Sequence, residues 1–333
     1  MHQARNFSQY GQPVLKGLVT PEKAKVHAQT LTNSLRKKFR HLSRRFKREG
    51  IDCFRLYDWD SPDIRVVVDW YAGRLVVAEY ERKQTGPEYL PQMASAAAAA
   101  LNVSPNKVYI RRRHTNITDA PRYKKLNVKG ERFKVRERNL WFWVNLSDFL
   151  DTGLFSDHRD TRVIIGKLAK DKDFLNLFAY TGTFTCTAAA AGARTTTTVD
   201  RSQTYIKWAK DNMLLNGLLG PKHQFIQSDV KKYLACALSQ GKRFSLAFLD
   251  PPSFYKNERE QISFDVNRDH PELIREVLKL MLPGSDVFFS TNHQRFEPRF
   301  ENITAKEIIK LTPQTVPEDY RNRNVHNCWQ IKV

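Results

Sequence analysis

Cysteine is scarce and scattered. Four cysteines, Cys53, Cys186, Cys236 and Cys328, stand in 333 residues, and no two form a C-x-x-C pair. That excludes a disulfide framework and a zinc site, and it suits buried thiols in a reducing cytoplasm, where the chain is expected. Long apolar runs are also missing. The longest candidate, "MASAAAAAL" (93–101), is alanine-rich and far short of the roughly 18–20 residues of a membrane span. The opening "MHQARNFSQYGQPV" has no apolar stretch of the kind a secretion signal needs. No G-x-G-x-x-G loop occurs anywhere. Acids are outnumbered: 55 Lys and Arg stand against 35 Asp and Glu, a net charge of +20.

What is present is unevenly placed. Residues 1–150 carry 29 Lys and Arg against 14 Asp and Glu; residues 151–333 carry 26 against 21. A polyanion, and specifically a nucleic acid, is the partner such a first half suits. Residues 1–50 read as a tail followed by a basic helix. Thr20 stands as N-cap and Pro21 at the first helical position. Leu31, Leu35, Phe39, Leu42 and Phe46 recur at helical spacing, as one apolar stripe. Arg36, Lys37, Lys38, Arg40, Arg44 and Arg45 lie between them, with almost no acids, and are expected to meet RNA phosphates. From 51 to 148 the period becomes two. "FRLYD", "IRVVVDWY" and "RLVVAEY" read as strands with Ala72-Gly73 as a turn, residues 88–101 as a helix, and "KVYIRRR", "RFKVRE" and "LWFWVNL" as further strands. This is a small α+β RNA-binding unit. Arg111, Arg112, Arg113, Lys124 and Lys125, interleaved with aromatics, are its expected RNA contacts.

The remainder, 149–333, alternates strand and helix. Strands are expected at 173–179, 195–200, 223–229, 245–250 and 286–291, with late strands at 306–311 and 327–333. Helices are expected near 183–192, 202–216, 230–240 and 269–282. That pattern means a mostly parallel sheet covered on both faces, with ligands at the carboxyl ends of its strands.

Four successive strand ends carry suitable chemistry. The first runs into "YTGTFT", where Gly182 lets backbone approach a ligand. The second ends in Asp200, able to accept both hydroxyls of a ribose. The third ends in Asp229, placed for an adenine amino group, and the fourth in Asp250-Pro251-Pro252. A dinucleotide redox enzyme would want a glycine-rich pyrophosphate cradle, which is lacking. A ligand with ribose and adenine but no pyrophosphate fits better: S-adenosylmethionine, with no metal.

"DTGLFSDHR" (151–159), "FLNLFAYTGTFT" (174–185), "TTTVDRSQTYIKWAKDNMLLNGL" (196–218), "LDPPSF" (249–254), "FDVNRDH" (264–270) and "RNRNVHNCW" (321–329) resemble the bacterial 23S rRNA guanine-N7 methyltransferases of RlmK type. Such enzymes are often the C-terminal half of a bifunctional protein, and the resemblance covers about residues 34–333. The usual N-terminal partner, a second methyltransferase with an RNA-binding domain, is absent from this sequence, which suits either a stand-alone enzyme or a fragment. The implied fold is a Rossmann-like class I S-adenosylmethionine-dependent methyltransferase with a seven-stranded sheet. Implied cofactor contacts are Phe155, Asp157, Arg159, Asn176, Phe178, Tyr180, Thr181, Gly182, Asp200, Arg201, Ser202, Asp229 and Asp250. Asp250, Pro251, Pro252 and Phe254 are implied as the wall for the target base in 23S rRNA or a large-subunit precursor.

Other functions stay open. Amino-group methyltransferases of this fold follow Asp/Asn-Pro-Pro with an aromatic; here Ser253 holds that place and Phe254 comes one later. Cytosine-C5 methylation needs a nucleophilic cysteine, and "FFSTNHQRF" after the fifth strand has none. A non-catalytic ribosome-assembly RNA binder would keep the fold without the transfer. His293 and His326 stand as base or phosphate contacts or as structural histidines.

Overall fold

A computed structural model describes residues 18–80, 84–113, 130–257 and 262–333. Helix α1 (Pro21–Glu49) begins where Thr20 Oγ1 accepts the Lys23 N–H at 3.2 Å and ends where Gly50 caps onto Lys47 and Phe46 carbonyls. Its stripe of Leu31, Leu35, Leu42 and Phe46 is buried, with Phe39 half-buried. At roughly 1.5–3 kcal/mol for each large apolar side chain removed from water, this stripe, rather than helix propensity, holds the helix in place.

The stripe packs on the strands that follow: β1 (Cys53–Asp58), β2 (Val66–Tyr71) and β3 (Arg74–Tyr80), then helix α2 (Tyr89–Leu101) and β4 (Val108–Arg113). The sheet order is β1-β2-β3-β4. The first three strands are antiparallel, and β4 is parallel to β3 because α2 supplies the crossover. Leu31, Leu35 and Phe46 share one core with Leu56, Val66, Val77, Leu90 and Met93. The strands β5 (Phe133–Glu137) and β6 (Leu140–Val144) come next.

Contact density divides the chain into two units. One holds the described residues up to Asn139 together with Val144–Thr152 and Glu318–Asn322; the other holds Leu140–Trp143, Gly153–Pro317 and Arg323–Val333. In the first unit Asp319 is fully buried, its Oδ2 accepting the Arg55 N–H at 2.8 Å, and the Arg55 guanidinium lies 4.3 Å above the Tyr320 ring.

The second unit continues with α3 (Arg159–Leu168), β7 (Asp173–Leu177), α4 (Thr183–Ala190), β8 (Thr195–Asp200), α5 (Gln203–Leu215), β9 (His223–Gln227), α6 (Val230–Ser239) and β10 (Phe244–Leu249). A hairpin of β11 (Phe254–Asn257) and β12 (Ile262–Asp265) precedes α7 (Val266–Leu278), β13 (Met281–Thr291), β14 (Glu307–Lys310), the single-turn α8 (Thr312–Thr315) and β15 (Asn327–Lys332). The seven-stranded sheet runs β14-β15-β13-β10-β7-β8-β9. Only β15 opposes its neighbours; the four pairings from β13 to β9 are parallel.

The central strand shows why the sequence reads as an unbroken apolar run. Leu246 and Phe248 bury into one core with Phe174, Phe184 and Phe288, while Ala247 and Leu249 bury into the opposite one with Leu175, Val199, Ile274 and Phe289. Both faces are covered, as a parallel sheet requires. From β7 the chain moves outward through β8 to β9, then returns to place β10 on the other side of β7. Strand order therefore reverses between β7 and β10, and the crevice at their carboxyl ends is the binding place that such a reversal creates.

Candidate active site

The turn after β7 carries the clearest local signal. Phe178, Tyr180 and Gly182 all have positive φ, at 54°, 50° and 69°. For Phe and Tyr that conformation costs on the order of 1–3 kcal/mol each and survives only where surroundings over-determine it. They do here. The Tyr180 N–H donates to Asp200 Oδ2 at 2.9 Å and the Ala179 N–H to the Val199 carbonyl at 3.0 Å. The Tyr180 hydroxyl accepts the Gly153 N–H at 2.8 Å, Thr181 Oγ1 donates to the Gly153 carbonyl at 2.6 Å, and Asn212 Nδ2 donates to the Thr181 carbonyl at 2.9 Å. Glycine is required at two positions. A Cβ on Gly182 would stand 2.6 Å from Ala209 Cβ, and one on Gly153 2.3 Å from the Trp208 ring.

Asp200, at the tip of β8, is 7% exposed. Its Oδ1 accepts the Ser202 N–H at 2.8 Å, so both oxygens are oriented by backbone. Burial pushes its carboxyl up to about 6, against the pull of those two donors. A fixed, nearly dry carboxylate suits a neutral diol such as a ribose. Ser202 caps α5, and the Arg201 guanidinium lies 5.0 Å above the Tyr255 ring. Phe155, half-exposed, packs 5.0 Å from Tyr180.

Two of the expected cofactor contacts are engaged within the protein. Asn176 was expected in the turn. It lies 1% exposed near the end of β7, with Nδ2 on Thr185 Oγ1 at 3.0 Å. Asp229 was expected to face an adenine amino group. Its Oδ1 caps α6, accepting the Lys231 and Lys232 N–H groups at 2.9 and 3.3 Å, and its Oδ2 accepts the Tyr255 hydroxyl at 3.1 Å.

Asp250 ends β10. The register Leu249↔Leu177 sets it beside the strained turn. Pro251 is buried, while Pro252 and Ser253 are half-buried. The Ser253 carbonyl accepts the Val266 N–H at 3.0 Å and its hydroxyl donates to Asn292 at 2.9 Å, so the turn after the prolines is pinned on both sides. Phe254 is 47% exposed, an apolar ring left facing solvent. Tyr255, which follows it, stacks on Phe264 at 5.5 Å and 13°.

Sequence reasoning missed His158, although it lies inside the quoted "SDHR". It is 3% exposed, with Nε2 3.5 Å from Asp250 Oδ2 and 3.9 Å from Asp157 Oδ2. Its ring stacks on His326 at 4.1 Å and 15°. His326 is fully buried, engaged by Asp157 at 3.1 Å and Thr315 at 3.0 Å, and is no surface contact for a base or phosphate. Arg159 is 2% exposed at the start of α3.

In the first unit, Lys37, Arg40, His41, Arg44, Arg45 and Arg48 of α1 line a groove of about 470 Å³. Arg36, Lys37, Arg40 and Arg44 are exposed. Lys38 donates to the Asp319 carbonyl at 2.9 Å, and Arg45 pairs with Glu318. Arg111 corrects its expected place on the RNA face. It is 9% exposed and donates to the Leu146 and Phe149 carbonyls, because it shares the face of Ala78, away from the helices, where that segment covers it. Arg112 donates to the Pro87 carbonyl. Arg113 ends β4, and Lys124 and Lys125 lie outside the described residues.

Comparison with known proteins places this geometry. A family profile for S-adenosylmethionine-dependent methyltransferases matches residues 55–315. The ribosomal RNA large subunit methyltransferase K/L of Syntrophotalea carbinolica is 42% identical over 305 residues, which are 90% of this chain and 42% of that protein. This chain thus spans less than half the length of that relative. Two solved structures share the fold at 24% identity. One, described as a proposed SAM-dependent methyltransferase from Streptococcus mutans, gives a TM-score of 0.72 over 95% of this chain and 84% of that one. The other, SMU.776 complexed with SAH, gives 0.71 over 92% and 82%. No described helix is long and apolar enough to cross a membrane. With a matching profile over most of its length and a seven-stranded sheet whose strand order reverses at a strained turn, the chain belongs to the S-adenosylmethionine-dependent methyltransferases.

Proposed function

We propose that the protein methylates N7 of a guanine in 23S rRNA. The observation that carries this reading is the pairing of the Phe178–Gly182 turn with the Asp250-Pro251-Pro252 turn at adjacent strand tips, in a chain 42% identical to a large-subunit rRNA methyltransferase. The cofactor supplies an electrophilic methyl group on a sulfonium. Asp200 receives the ribose hydroxyls, the turn after β7 wraps the methionine part, and Phe155 and Tyr180 cover it.

Guanine N7 has an in-plane lone pair and no proton, so no general base is needed. What remains is alignment. Proline has no N–H, and two in succession fix an extended backbone whose carbonyls are free to face the base. Asp250 and those carbonyls stabilise the positive charge that develops on the base, and Phe254 offers its exposed ring as a stacking surface. Holding nucleophile and methyl carbon in line at near contact supplies about 7–11 kcal/mol of the barrier reduction in well-oriented reactions.

The cysteines do not favour C5 chemistry. Cys53, Cys186 and Cys328 are buried, and burial pushes the thiols of Cys186 and Cys328 up, the opposite of an activated nucleophile. Cys236 is exposed, but on α6 rather than at the crevice. The groove on α1 takes RNA phosphates.

The test is a map of N7-methylguanosine in 23S rRNA from cells with and without the gene, by mass spectrometry of RNA fragments. Loss of a single N7-methylguanosine supports the reading. An unchanged N7 pattern with loss of another methylated base overturns it.

A further inference from the structure

Beneath the Asp-Pro-Pro turn lies a buried group that the proposed chemistry does not use. His158 stands between two carboxylates, Asp250 at 3.5 Å and Asp157 at 3.9 Å, with its other nitrogen 3.3 Å from Thr161 Oγ1. Phe184 and Phe248 meet the ring edge-on at 5.7 and 5.9 Å, and His326 covers its face at 4.1 Å. One atom each from Asp157, His158 and His326 lie within 4.8 Å of one another, but the arrangement is a poor cation site. Parallel stacked rings send their in-plane lone pairs side by side rather than to one point, and both His326 nitrogens are engaged, by Asp157 and by Thr315.

A proton-bearing network fits better. The Thr315 hydroxyl, which also lies 3.2 Å from the Thr312 carbonyl, can turn its one proton to His326 Nε2, leaving a neutral ring whose Nδ1–H donates to Asp157. His158 directs Nε2 at the two carboxylates, while Thr161 Oγ1 can accept from or donate to Nδ1; two carboxylates beside one ring nitrogen favour the imidazolium. Two facing imidazolium rings would repel, so the stack carries at most one charge.

We propose that His158 is a positioning residue for methyl transfer: its imidazolium holds the Asp250 carboxylate from below and so aims the Pro251 and Pro252 carbonyls at the reacting base. Burial works against the charge on His158, but the Asp157 and Asp250 carboxylates outweigh it and the ring keeps its proton above the ordinary 6.5, with the nearby Arg162 opposing. For His326 burial dominates, the His158 charge adds to it, and its proton is lost more easily than usual. Cys328, whose thiol is pushed up by burial and by Asp250, contributes no charge. A histidine whose folded pKa is raised holds its contribution at low pH and loses it as pH rises through the raised value. Turnover therefore declines on the alkaline side of 6.5.

The inference rests on Asp250 lining the transfer site, and the test separates the two. Histidine NMR on the intact wild-type protein reads the His158 titration without any RNA. A midpoint above 6.5 that coincides with the alkaline fall in kcat supports the proposal; a midpoint at or below 6.5, or one that does not match the fall, overturns it. His158→Gln, with S-adenosylhomocysteine affinity kept within about threefold, should lower kcat about ten- to a hundredfold near pH 6.5 and flatten the alkaline limb. An unaltered limb in that variant overturns the role. Full turnover in Asp250→Ala would instead sink the reading of Asp250 itself.

Discussion

Tyr255 donates its hydroxyl to Asp229 Oδ2 over 3.1 Å, tying the strand after the two prolines to the cap of α6. The acid at the third strand tip thereby holds the hairpin that carries the target-base wall. A hydrogen bond to a charged group is worth about 1.5–3 kcal/mol. Tyr255→Phe should lower kcat/KM for RNA about tenfold and, through the lost hydrogen bond, lower the melting temperature by a few degrees while the Asp229 Oδ1 cap of α6 stays. Steady-state kinetics beside a thermal melt check this.

Asp200 sets a pH dependence for cofactor binding. Its carboxyl is pushed up to about 6 by burial, so it is ionised above that pH and protonated below. Only the carboxylate accepts from both ribose hydroxyls. Calorimetric affinity for S-adenosylhomocysteine should be full near pH 7.5 and weaken as pH falls through about 6. Asp200→Asn should bind about ten- to a hundredfold more weakly and show no such inflection.

Asn212 joins two parts of the second unit. Its Oδ1 accepts the Trp143 N–H at 2.9 Å and its Nδ2 donates to Thr181 at 2.9 Å, while Asn216, one turn on, brackets Trp141 at 2.8 and 2.7 Å. Asn212→Ala leaves a buried N–H and a buried carbonyl unmatched. It should cost about 2–4 kcal/mol in urea unfolding and loosen the strained turn, with weaker cofactor binding as a second readout.

The basic helix separates binding from stability. Replacing Lys37, Arg40, Arg44 and Arg48 together by Gln should make the slope of log affinity against log salt shallower by about 3 and leave the melt nearly unchanged. Arg111→Ala should do the reverse, lowering the melt because the Leu146 and Phe149 carbonyls lose a buried donor, with no change in salt slope.

The contrast with Arg111 shows what the sequence can carry. Periodicity reported β10 correctly because alternate residues bury into two cores, and it reported α1 because one stripe does. It could not tell which arginine of "RRR" turns inward, since that depends on the Leu146 and Phe149 carbonyls some 35 residues away. The strand-tip acids were legible as a set, and Asp200 and Asp250 stand at the crevice. Asp229 was legible in place, but its bond to Tyr255 was not, because Tyr255 reaches it through a hairpin that no period announces. His158 sits among quoted residues, yet its meaning comes from His326 and Asp250, which only the fold brings to it.

A crystal structure with S-adenosylhomocysteine bound tests the central claim most directly. The ribose hydroxyls should lie within about 2.5–3.2 Å of the Asp200 carboxylate, with the sulfur between the Phe178–Gly182 turn and Pro251. A ligand seated elsewhere, with its ribose away from Asp200 and its sulfur away from Asp250, would contradict it.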